Sequence, residues 1–72
     1  MPNIYSEEYK KFLLCLKRAR SEAGLNQVDV AKRLKKPQSF VAKCESGERR
    51  LDVVELNQYA KIYKKDISFF IQ

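Results

Sequence analysis

Tyr9, Phe12, Leu13, Leu16, Ala19 and Ala23 recur at three- and four-residue spacing, the period of one helix face. They predict a helix over about 7–23, with Ser6 as its N-cap and Gly24 ending it. A second helix is predicted from Gln27 to Leu34 behind Asn26, with Val30, Ala31 and Leu34 inward and Asp29, Lys32 and Arg33 outward. Lys35 and Lys36 make the turn that follows. Pro37 then opens a third helix as its first helical residue, where a missing donor costs nothing. That helix runs to about Glu45 and is closed by Ser46-Gly47. After a basic loop, Gly47-Glu48-Arg49-Arg50, the residues Asp52 and Glu55 have the spacing of a capping box. The fourth helix they start turns Val53, Leu56, Tyr59, Ala60 and Tyr63 inward and leaves Val54 and Ile62 off the stripe. Asp66 can cap a last short turn, Ile67 to Ile71. With no strand-like alternation and no repeat, the pattern predicts one all-α domain over 1–72, a compact bundle of five helical segments.

The third helix divides most sharply. At about 100° per residue, Gln38, Ser39, Ala42 and Lys43 share one arc with Ser46, while Phe40, Val41, Cys44 and Pro37 share the other. Ala31 is a small residue where two helix backbones would cross, and Val41, ten residues on, is β-branched and inward. The polar arc carries chemistry suited to base edges. Gln pairs with adenine through two hydrogen bonds, Lys donates to guanine, Ser serves either way, and Ala touches a thymine methyl. An ordinary solvated helix face would look the same in isolation. Its neighbours change that: Gln27 and Gln38 stand at helix starts, where open backbone donors and the dipole favour phosphate. Lys35, Lys36, Arg49 and Arg50 flank the same surface, and such contacts fix register without reading sequence.

Arg20 projects from the middle of the first apolar stripe. Its guanidinium either finds an anion, with Glu45 at the inner edge of the third helix as the candidate, or snorkels to solvent.

Fifteen Lys and Arg against nine Asp and Glu give a net charge of +6, which favours a polyanionic partner. A hydrophobic share of 44% suits a folded globule. Cys15 and Cys44 lack the paired spacing of a zinc site, and the chain has no histidine. They are expected to be buried and reduced, which fits the cytoplasm; no metal or cofactor is expected. Met1-Pro2-Asn3-Ile4, followed by acids at 7 and 8, does not resemble a signal peptide. No apolar run approaches a membrane span, and the cations gather at helix starts and loops instead of edging one long apolar face. No nucleophile has a plausible base beside it, so an enzyme is not expected.

Gln27-Val28-Asp29-Val30-Ala31, followed by Pro37-Gln38-Ser39-Phe40-Val41-Ala42-Lys43-Cys44-Glu45-Ser46-Gly47, resembles the phage-repressor and Cro-type helix-turn-helix family, also called the Xre family. The resemblance covers roughly Leu16 to Phe70. It implies a lambda-repressor-like bundle whose third helix enters the major groove of double-stranded DNA. Gln38, Ser39, Ala42 and Lys43 would then meet bases. Gln27, Ser46 and the basic loop would hold phosphates, and Arg20 would pair with Glu45. Two positions depart from the family: Lys35 and Lys64 stand where glycine is common, and a lysine with positive φ costs about 1–2 kcal/mol. Cys44 replaces a frequently larger apolar residue.

The function that follows is a sequence-specific transcriptional regulator, a repressor binding a palindromic operator as a homodimer. Val54, Ile62, Phe69, Phe70 and Ile71 either form the dimer surface or complete a small core. The alternative is the antitoxin of a toxin–antitoxin pair, which would bind a toxin protein as well as DNA.

Overall fold

A computed structural model describes residues 6–71; the Met1–Ile4 stretch lies outside them. They form four α-helices and a 3₁₀ turn: α1 Glu7–Glu22, α2 Gln27–Leu34, α3 Gln38–Ser46, α4 Val53–Tyr63, and the turn Ile67–Phe69. The fifth predicted segment is thus a single tight turn, capped by Asp66, whose side chain accepts from the Ser68 N–H at 2.9 Å.

Each helix start has its own chemistry. Ser6 caps α1 by accepting from the Tyr9 N–H. Asn26 and Asp29 form a reciprocal capping box on α2, and Asp52 and Glu55 form the predicted one on α4. Pro37 is the exception. It lies just outside α3 with ψ at 154° and contributes no side-chain cap. Its carbonyl accepts the first bond of the helix, from Phe40 at 3.0 Å. The expected first helical residue is therefore the N-cap, and the leading donors of α3 lack a side-chain partner.

Lys35 and Lys64 end α2 and α4 in the left-handed region, with φ of 59° and 56°. Both make the paired bonds of a Schellman end. Lys36 donates to Ala31 O and Lys35 to Lys32 O; Lys65 donates to Ala60 O and Lys64 to Lys61 O. The turns keep their standard shape, and two lysines carry the strain.

The core gathers Leu16 and Ala19 of α1, Val30 and Ala31 of α2, Val41 and Cys44 of α3, Tyr59, Ala60 and Tyr63 of α4, and Phe70. Ala31, 4% exposed, lets α2 and α3 approach closely. Val53, expected inward, is 71% exposed. It is the first residue of α4, beyond the edge of the core; Leu56, a turn later, packs half-buried against the core, and full burial begins at Tyr59. Phe70 is buried, Phe69 and Ile62 are half-buried against the core, and Val54 and Ile71 face solvent. Two of the five candidates for a contact between copies therefore remain available on the surface. Cys44 is buried and Cys15 half-buried, both as free thiols.

No described helix is long and apolar enough to cross a membrane.

Candidate nucleic-acid interface

The two short central helices meet across the left-handed turn at Lys35, and α3 lies with Val41 and Cys44 fully buried beneath it. Its other face is outward. Gln38, Ser39, Lys43 and Ser46 are exposed and Ala42 is half-exposed. Lys35 and Lys36, in the turn before it, are exposed as well.

A polar chain runs from the core to that face. Glu45 is 3% exposed and takes both prongs of Arg20, Nε to Oε2 at 2.6 Å and Nη2 to Oε1 at 3.0 Å. Arg20 Nη1 also donates to Leu25 O at 3.1 Å, and its bond to Glu45 raises its affinity for the proton above the ordinary arginine value. Glu45 Oε1 further accepts from Gln27 Nε2 at 3.0 Å, and Gln27 Oε1 accepts from Gln38 Nε2 at 2.7 Å. An ionised carboxylate can only accept, so Gln27 must present its NH2 to Glu45. Its carbonyl then faces Gln38, which must answer with its own NH2. One charge pair in the core thus fixes the orientation of two amides. It leaves the carbonyl and one N–H of Gln38 for another partner. The sequence suggested the Arg20–Glu45 pair; the glutamine link, across eleven residues and a turn, has no spacing signature.

Gln27 is therefore half-buried within this chain, and its side-chain amide is occupied at both ends. Ser46 Oγ is engaged locally, donating to Lys43 O at 3.1 Å and accepting from the Glu48 N–H at 3.3 Å.

The basic loop is also structured. Arg49 is clasped by Glu55 and lies 4.7 Å over the Phe40 ring, which Lys36 Nζ also approaches at 5.3 Å. Hydrogen bonding from Arg49 holds the Glu55 carboxyl below its usual range. The Arg50 guanidinium stacks on Tyr9 at 4.3 Å, and the Tyr9 hydroxyl accepts from the Leu51 N–H at 3.3 Å. This ties the loop to the start of α1.

Behind α3, burial pushes the Cys44 thiol up and the phenols of Tyr59 and Tyr63 up as well. Neither phenol has a hydrogen-bond partner among the described residues. Nor does any group of three or more potential metal ligands gather among them.

What the arrangement can do chemically is present an open helix start and a polar stripe, edged by cations, to a polyanion with readable edges. A family model described as helix-turn-helix matches residues 16–70, most of the chain. No curated protein matches it.

Proposed function

From a chain that belongs to the Cro/C1-type, or Xre, helix-turn-helix family of DNA-binding regulators, we propose a repressor that reads the major groove with the outer face of α3. It acts as a homodimer on a two-fold symmetric operator. The observation that carries this reading is the division of α3: Val41 is fully buried beneath it while Gln38, Ser39 and Lys43 stand exposed on its outer side.

Gln38 is the most sharply defined reader. Held by Gln27, it offers one acceptor and one donor side by side, the pattern that matches N6 and N7 of adenine. Lys43 donates to guanine acceptors, Ser39 serves either role, and Ala42 packs on a thymine methyl. The open donors at the start of α3, together with Lys35, Lys36 and Arg50, hold backbone phosphates. Gln27 joins them through the second N–H of its amide, and Ser46 by turning its single hydroxyl proton from Lys43 O to the phosphate. One such helix reads few base pairs, so two copies place two helices about 34 Å apart along the duplex. Val54 and Ile71, 63% and 67% exposed, with Val53 beside them, are the apolar surface for that pairing.

Selection of bound fragments from random duplex DNA tests both parts, with an inverted repeat of matching half-site spacing as the expected result. On the selected site, Gln38→Ala or Lys43→Ala lowers affinity for the cognate duplex far more than for random duplex. Lys36→Ala weakens both alike and flattens the salt dependence by about 0.9 in slope. Identical behaviour of the two groups of variants would remove the assignment of readers.

A further inference from the structure

The basic loop after α3 brings Arg49 to the surface that the proposed function turns toward DNA, where a cation is ordinarily counted as a phosphate contact. The surroundings of this guanidinium give it another task. Nη1 and Nη2 donate to the two carboxylate oxygens of Glu55 at 2.8 and 2.7 Å, and Nη1 donates again to Arg50 O at 3.1 Å. Its plane lies 4.7 Å over the ring of Phe40 on α3. Glu55 is held in turn, since its Oε1 accepts the Asp52 N–H at 3.1 Å and its own N–H donates to Asp52 Oδ1 at 2.7 Å. The reading helix, the loop and the start of α4 therefore meet at one planar group. Three of its five donors are spent there, and its charge is matched by a carboxylate at contact distance.

We infer that Arg49 is a positioning residue: through Glu55 and Phe40 it braces the loop between α3 and α4, and it adds no phosphate contact of its own. The loop's placement on Arg49 sets where Arg50 and the end of α3 sit. The inference rests on the DNA-binding reading above for its effect on affinity, while the brace itself is visible without DNA.

Three variants of the full chain separate the roles. Arg49→Lys keeps the charge but cannot form the two-pronged bond or stack in the same way. The double variant Arg49→Gln/Glu55→Gln removes both charges and leaves the net charge unchanged. A brace predicts that Arg49→Lys lowers the melting temperature and weakens cognate and random duplexes together. It also predicts that the double variant keeps the wild-type slope of log affinity against log salt. Glu55→Gln alone weakens binding on the same grounds, although it frees the arginine. The inference is overturned if Arg49→Lys retains wild-type stability and affinity, if the double variant loses about 0.9 in slope, or if Glu55→Gln tightens binding. A wild-type chain that binds no duplex would sink the DNA-binding reading instead, and the melting temperature of Arg49→Lys alone would then decide the brace.

Discussion

Replacing Arg20 by Met leaves Glu45, 3% exposed, as a buried carboxylate with no counter-charge. Gln27 Nε2 alone would still bond to it. Removing one partner of a buried ion pair costs about 3–5 kcal/mol, because the stranded charge has lost both water and its neighbour. A chain of 72 residues has roughly 4–11 kcal/mol of stability in total, so the variant approaches the limit of folding. Its entropy of unfolding, about 0.15 kcal/mol per kelvin, converts the loss into a fall of about 20–30 °C in melting temperature. Arg20→Met/Glu45→Leu removes the pair together and replaces it with apolar volume. Such exchanges are neutral or stabilising by about 1–4 kcal/mol, so the double variant should recover most of the loss. It should not recover base discrimination. Without Glu45, nothing forces the Gln27 amide to point its carbonyl at Gln38, and the adenine-reading geometry relaxes. Thermal unfolding followed by circular dichroism, paired with binding to duplexes altered at the Gln38 base, checks both halves. A single variant within about 1 kcal/mol of wild type would show that the pair behaves as an exposed one. A double variant as unstable as the single, or one with full discrimination, would refute the coupling.

Three further outcomes follow from the same structure. Lys64→Gly relieves a left-handed lysine worth about 1–2 kcal/mol against an entropic cost of about 0.5–1 kcal/mol for glycine, and calorimetry should record a melting temperature a few degrees higher; Lys35→Gly should stabilise similarly while weakening DNA binding through the lost charge. The carboxyls of Glu55 and Asp66 are held below their ordinary values, by Arg49 and by the Ser68 N–H respectively. Their contribution is present above the unfolded-state values, 4.5 and 3.8, and is lost as pH falls through the lower folded ones. Melting temperatures measured across acid pH should fall below about 4.5, and Glu55→Gln should make that fall shallower. Finally, Val54→Lys/Ile71→Lys should shift sedimentation toward a monomer and weaken operator binding while leaving each protomer folded; an unchanged dimer would clear this surface of the role.

Much of the fold could be read from the chain because it is written in local signals. The bounds of α2 and the Asp52–Glu55 box follow from residues within a few positions of each other. The outward placement of Gln38, Ser39 and Lys43 needed only the helical period and one apolar side. What escaped depended on three dimensions. Val53 fits the stripe by angle but lies past the end of the core, a matter of axial position that periodicity does not encode. Pro37 has a φ compatible with both the cap and the first helical position, so only ψ separates them. Asn26 and Asp29 had the spacing of a box, with the shorter acid in place of the usual Glu. The clasp of Arg49 by Glu55 and the bond between Gln27 and Gln38 cross loops, and no interval in the sequence announces either.

The position of Cys44 also gives the molecule an internal clock. A protonated thiol sealed beneath α3 cannot react with an alkylating reagent until that helix lifts from its bed, whereas half-buried Cys15 has partial access from the start. The interval between the two labelling events therefore reports how often α3 opens, in the native chain and with no added probe, and bound duplex DNA should lengthen it.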